Sequence, residues 1–312
     1  GGRRLGDDLG KLLPGPEPYG ESWEVSDHAQ HRSVVASGPF AGRNVRQLME
    51  ADRGNLLGKS ASKYATFPWL VKFLDAKDWL SVQVHPDDES VQRLWPGEGG
   101  KTEAWFVLDA TPGSRIYAGL KAGVDEKLLR SALREGTVAD CLHQFQPAPG
   151  DCLFLKAGAV HAVGGVLMAE VQQTSDATFR LYDWGRKDQL GRARELHIEQ
   201  ALACIDWQRG PIDPIKTQAF GRDISSKAGY HRQPLVHCPF FTLEYVKSHE
   251  PFPLGGIEAM QVVIVVNGRG VIETRNGVEE LTVGQTLLLP AAMPTCWCRP
   301  DSMIGVLVSS LP

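Results

Sequence analysis

The chain has 312 residues, of which 42% are hydrophobic and 22% charged, and its formal net charge is −4. That length holds two ordinary hydrophobic cores more naturally than one, and the composition is that of a soluble globular protein. The acidic balance argues against nucleic-acid and anionic-membrane partners, which need a basic surface. No apolar run approaches the roughly 18 residues of a membrane span. No apolar stretch follows the opening Gly-Gly-Arg-Arg, so no signal peptide is expected and a cytoplasmic location is. Cys141, Cys152, Cys204, Cys238, Cys296 and Cys298 form no Cys-x-x-Cys pair, which points to reduced, structural thiols rather than a thiolate metal site.

In chain order, residues 1–18 are rich in Gly and Pro, carry Leu9, Leu12 and Leu13, and read as an arm packed on a first domain. Residues 19–25 alternate as a strand, residues 42–51 have helical spacing at Val45, Leu48 and Met49, and residues 68–74 form an apolar strand. Ser81-Val-Gln-Val-His-Pro-Asp87 alternates again. Gln83 and His85 are two apart and share one face, and Pro86 ends the ladder just beyond them. Strands follow over 101–108 and 116–120, a helix over 125–137 with Leu128, Leu129 and Leu133 on one face, and strands over 152–155, 166–173 and 178–183. Residues 196–204 read as a short helix closing the domain.

Residues 209–234 read as a polar linker. Beyond it, residues 235–236, 240–246, 260–266, 270–274, 287–289 and 303–308 are strand-like, with Asn276-Gly277 as a hairpin turn. Cys296-Trp-Cys298 places both sulfurs on one strand face. Gly150 to His161 aligns without gaps on Gly284 to Thr295, each a glycine turn, an apolar strand and a small-residue loop. His161 meets Thr295 in that alignment, so the pattern predicts two related β-barrels with polar function kept only in the first. The expectation is therefore a mainly β chain with a few short helices: a metal-binding domain over 1–208, a linker over 209–234 and a metal-free β-domain over 235–312.

Within the first half, Gln83, His85, Glu103 and His161 lie on or just after strands. Two imidazoles, a carboxylate and an amide oxygen suit a divalent ion such as zinc with one position open. The histidines at 28, 31, 143, 197, 231 and 237 read as solvated or locally hydrogen-bonded. A second polar stretch runs from Glu170 to Arg180. Arg180 lies between Phe179 and Leu181 and faces away from both, a fixed cation suited to an anionic intermediate or a phosphate.

Gly20-Glu-Ser-Trp-Glu24, Ser81 to Asp87, Lys101-Thr-Glu103, Gly158-Ala-Val-His161, Glu170 and Ser175-Asp-Ala-Thr-Phe-Arg180, in this order, resemble type I mannose-6-phosphate isomerases in their short bacterial form. The likeness covers most of the first two-thirds; the last third resembles the family's accessory β-domain more loosely. It implies two cupin-like jelly-roll barrels, one zinc ion per chain, and interconversion of mannose 6-phosphate and fructose 6-phosphate through a cis-enediolate. By the same resemblance His85, Glu103 and His161 are zinc ligands, Gln83 a further ligand, and Arg180 catalytic. The family's Lys-Pro-Glu appears here as Lys101-Thr-Glu103. Glu170 and Lys101 are alternative general bases, and Ser81, Lys101 and Arg180 are candidates for binding the sugar phosphate. A homodimer is left open. Two other readings compete: a non-haem iron oxygenase, which would leave Lys101, Glu170 and Arg180 without a task, and a sugar-phosphate-binding cupin without turnover.

Overall fold

The computed structural model describes residues 1–188, 190–217, 229–275 and 277–312. The chain divides into two compact units, residues 1–2 with 74–215 and residues 3–73 with 216–312. Its elements begin with α1 (Arg4–Asp7), β1 (Glu21–Val25), the ribbon of β2 (Asp27–His28) and β3 (His31–Arg32), and α2 (Val45–Leu57). Asn44 caps α2 with a reciprocal Asn44–Gln47 capping box. β4 (Trp69–Ala76) then runs through the boundary between the units, every residue buried.

The first unit contains β5 (Val82–Val84), α3 (Asp88–Leu94), β6 (Glu103–Leu120), α4 (Glu126–Glu135), β7 (Leu142–Phe145), β8 (Asp151–Leu155), β9 (His161–Gln173), β10 (Phe179–Tyr182) and α5 (Ile198–Cys204). β6 is its central strand, paired antiparallel with β7, β8 and β9. β9 also pairs with β5, and β5 with β10. Alternation divides the side chains between two apolar clusters. Trp105, Val107, Leu153, Leu155, Val163, Val166 and Met168 fill one. Val82, Val84, Leu129, Ala132, Phe179, Leu181, Ala201 and Leu202 fill the other, where α4 and α5 lie. Asp125 caps α4 by accepting the Leu128 N–H, and Gly136 ends it in the left-handed conformation that favours glycine.

β11 (Ile215–Lys216) lies at the second boundary. The second unit continues with β12 (Tyr230–His237), β13 (Thr242–Ser248), β14 (Phe252–Leu254), β15 (Gln261–Thr274), β16 (Gly277–Thr282), β17 (Thr286–Leu289) and β18 (Cys296–Ser310). These form one sheet in the order β12-β13-β18-β15-β16, with β14 on β18 and β17 on β15. The residues of 218–228 and Asn276, and with them part of the expected linker and the Asn-Gly turn, lie outside the described residues.

The segment of residues 3–73, expected in the first domain, groups instead in one compact unit with residues 216–312. The reason is a set of bonds along its length. Lys11 Nζ donates to the Gly284 carbonyl at 2.6 Å and to Glu24, Ala291 and Ala292 donate to Leu56 and Asn55 carbonyls, and Trp69 Nε1 donates to Phe240 O. Leu12 is fully exposed, so only Leu5 and Leu9 of the arm enter the core. Two expected strand pairs also prove continuous, 103–120 and 261–274, because bulges bend a long strand where the sequence suggested a break.

The internal repeat is structural. Gly150 and Gly284 both have φ +90, and their N–H groups donate to Val107 O and Val265 O. Ala159 N–H to Lys156 O is repeated by Met293 N–H to Pro290 O. Glu103 pairs with Leu155 as Gln261 pairs with Leu289. The second unit therefore has Gln261 where the first has Glu103, and Thr295 where it has His161.

Candidate metal centre

Glu103 opens β6, and its Cα partner on β9 is Gln172; two residues on, Trp105 faces Glu170. His161 opens β9 and pairs with Gln83 of β5, which pairs in turn with Arg180 of β10. Directly opposed residues share a sheet face, so Arg180, Gln83 and His161 form one row across three strands. His161, placed in a loop from sequence, is the first residue of its strand. Val160 and Ala162, its neighbours in the chain, point into the apolar cluster on the other face.

These rows bring together His85, Glu103 and His161, whose candidate ligand atoms lie within 4.8 Å of one another. Among the described residues this is the group of its kind. His85 Nε2 is 3.4 Å from Glu103 Oε2, and His161 Nε2 is 3.4 Å from Glu103 Oε1. All three side chains are buried. Each imidazole has its other nitrogen engaged: His85 Nδ1 donates to Ala177 O at 2.9 Å and His161 Nδ1 to Ala159 O at 2.9 Å. A carbonyl can only accept, so both protons sit on Nδ1 and both Nε2 atoms present lone pairs on the side of the cluster. This is the outer arrangement that orients metal-bound histidines.

Electrostatics agree with the geometry. Burial, reinforced by the Lys101 ammonium, holds the His85 imidazole well below its usual value; burial likewise lowers His161, although Glu103 pulls it upward. Both rings are therefore neutral donors near neutral pH. His85 Nε2 is buried with no hydrogen-bond partner among the described residues, a position that a cation would satisfy. The donor set thus fits a divalent ion.

The other expected site residues fall around this cluster. Lys101 Nζ is 3.2 Å from Glu103 Oε2 and 3.9 Å from Glu170 Oε1. Trp105 Nε1 donates to Glu170 Oε1 at 3.3 Å. Gln83 turns Nε2 to His161 Nε2 at 3.2 Å, while its Oε1 accepts from Ser81 Oγ at 3.4 Å. The structure thus shows its nitrogen, not the expected ligand oxygen, facing the cluster. Arg180 Nη1 donates to Glu195 O at 2.8 Å, and its Nε is buried without a hydrogen-bond partner among the described residues.

Two contributors were missed from sequence. Trp105 belongs to the polar face by the same two-residue step that relates Gln83 to His85, but an indole reads as core. His197, expected to be a simple helix-end histidine, holds the Arg180 backbone at both ends: its Nδ1 accepts the Arg180 N–H and its N–H donates to Arg180 O. No local pattern announces a contact across that interval.

Two neutral imidazoles and a carboxylate on a mainly β scaffold form a metal-capable site on a protein of the cupin type. Residues 3–101 match the family model described as phosphomannose isomerase type I, catalytic domain. A mannose-6-phosphate isomerase of Streptococcus mutans is 37% identical over 293 residues, 93% of this chain and 88% of that protein. A mannose-6-phosphate isomerase of Bacillus subtilis is 33% identical over 299 residues, covering 93% and 89%. The crystal structure of mannose 6-phosphate isomerase from Bacillus subtilis superposes with a TM-score of 0.86 at 29% identity, covering 99% of this chain and 95% of that one. The chain belongs to the type I phosphomannose isomerase family and is an isomerase.

Proposed function

We propose that the chain interconverts mannose 6-phosphate and fructose 6-phosphate with a divalent zinc ion held by His85, Glu103 and His161. The observation that carries this reading is the buried cluster itself, with both protons held on Nδ1 by Ala177 and Ala159 so that each Nε2 presents a lone pair, His85 Nε2 being without a hydrogen-bond partner among the described residues. Zinc suits two nitrogens and one carboxylate oxygen with a position open to substrate, and when bound it supplies a Lewis acid for the sugar's carbonyl and hydroxyl oxygens. Gln83 would add an oxygen once its carboxamide is turned over, with Nε2 then facing Ser81.

The reaction moves one proton between C1 and C2 through a cis-enediolate. Glu170 and Lys101, 3.9 Å apart beside Glu103, supply the acceptor and the donor that such a transfer needs. The Trp105 indole holds Glu170 in place. Arg180, in the same cross-strand row as Gln83 and His161, stabilises the anionic enediolate more than the neutral sugar, and so acts on the transition state. Ser81 and Lys101 serve sugar or phosphate oxygens at the edge of the cluster. We further read each sheet as a cupin-like jelly-roll, the first catalytic and the second without metal.

A coupled assay of fructose 6-phosphate formation from mannose 6-phosphate tests the proposal. Activity lost on chelation and restored by zinc is expected. Absence of turnover in protein carrying one zinc per chain would overturn it.

A further inference from the structure

The segments that carry the three candidate ligands are fastened to one another outside the cluster. Gln173, the last residue of β9, extends its carboxamide between two of them. Its Oε1 accepts the Thr102 N–H at 2.9 Å, one residue before Glu103. Its Nε2 donates to Asp88 Oδ1 and Oδ2 at 3.2 and 3.4 Å, three residues after His85. Asp88 Oδ1 also accepts the Gly100 N–H at 2.9 Å, and Lys101 N–H donates to Pro86 O at 2.9 Å. A Cβ on Gly100 would come within 2.5 Å of the Asp88 nitrogen, so the two segments approach as closely as backbone allows. Around the same point Gln173 N–H donates to Thr102 O, Ala157 N–H to Thr102 Oγ1, and Gly158 N–H to His85 O. The last two bonds bring in the segment that leads to His161.

We propose that Gln173 is a positioning residue for the metal centre: its carboxamide sets the spacing of His85 and Glu103 by bridging Asp88 and the Thr102 backbone. The chemistry calls for an amide. One end must accept from a backbone N–H and the other must donate to a carboxylate, which neither a carboxylate nor an apolar side chain does. Gln173 is half-buried and Asp88 exposed, so the bridge contributes modestly to the fold. Its effect on the centre is larger, since partners that orient metal ligands typically change metal affinity by about 10–100-fold. The inference rests on His85, Glu103 and His161 being the metal site.

The test measures zinc affinity of the full-length apo-protein by competition with a chromophoric chelator, with circular dichroism to confirm the fold. Gln173→Glu sets a carboxylate against Asp88 and is expected to weaken zinc binding about tenfold or more. A mere change of charge would do the opposite, because an added anion attracts the cation. Combining Gln173→Glu with Asp88→Asn reverses the polarity of the bridge and restores its link: the new amide nitrogen, in place of Oδ2, donates to the new carboxylate, and its oxygen still accepts from Gly100, with the contact to Oδ1 alone left unreplaced. Recovery to within about threefold of wild type is expected. Gln173→Met, which carries no charge, should weaken zinc binding like the single carboxylate variant, and it decides the matter if that variant does not fold. Wild-type affinity in Gln173→Met, or a loss in Gln173→Glu that Asp88→Asn does not recover, would overturn the inference. Failure of the wild-type protein to bind zinc at all would instead overturn the metal assignment.

Discussion

Glu103 is the residue on which the centre turns. It is fully buried, faces both imidazoles and lies 3.2 Å from the Lys101 ammonium. Glu103→Gln keeps the shape and removes the charge, so both the cation and Lys101 lose their compensation. Zinc affinity should fall beyond the about 10–100-fold typical of outer partners, with catalysis lost at equal substrate saturation; chelator competition and the coupled assay measure both. Asp183 shows the opposite use of a buried carboxylate. Burial pushes its carboxyl up, but hydrogen bonds from Arg194 and Arg186 outweigh this and leave it below its usual value. A depressed folded-state value means the pairing stabilises fully above the unfolded carboxyl's pKa of about 3.9 and is lost as pH falls below it. Asp183→Asn should therefore lower stability at pH 7 by about 1–2 kcal/mol, discounted because both guanidiniums are substantially exposed, and the difference should shrink to nothing as pH falls through the depressed folded-state value. Urea midpoints across pH test this.

Among the elements, strands carry chemistry and helices carry packing. α4 presents Leu129 and Ala132 to the apolar cluster opposite the metal face. Asp125→Ala removes its N-cap and should cost about 1 kcal/mol of stability while leaving kcat/KM unchanged; thermal melts and steady-state kinetics separate the two. The strands bearing Gln83, Glu103 and Arg180 were legible because alternation identifies which side chains share a face. His161 was harder to place. Its flanking residues Ala157-Gly158-Ala159-Val160 read as a loop, and only pairing with Gln83 makes it the start of a strand.

At the scale of the whole molecule, the repeat shows the two units carrying different polar residues at equivalent positions. Equivalent strand pairings place Gln261 for Glu103, and the aligned turn places Thr295 for His161. An amide and a hydroxyl in place of a carboxylate and an imidazole bind divalent ions poorly. The second unit also draws on chain far from it in sequence. Gly284, with φ +90, meets Leu9 so closely that a Cβ there would come within 2.2 Å of Leu9 O. Residues 216–312 expressed alone should therefore lack a cooperative thermal transition, and addition of a peptide spanning residues 3–73 should restore one. A cooperative melt of the isolated fragment would contradict this. No helix among the described residues is long and apolar enough to cross a membrane.

The sequence by itself determined the mainly β class, the faces of the strands and the turn-strand repeat, because these follow from two-residue alternation and local turn chemistry, while the candidate ligands were singled out by residue type and by the resemblance to the isomerase family. Only the tertiary structure decided that residues 3–73 serve the second unit, that Nδ1 bonds leave both imidazoles facing Glu103, and that Gln83 turns its nitrogen inward. Those outcomes depend on contacts between residues tens to hundreds of positions apart, and a local pattern carries no record of which distant carbonyl or carboxylate a side chain will meet.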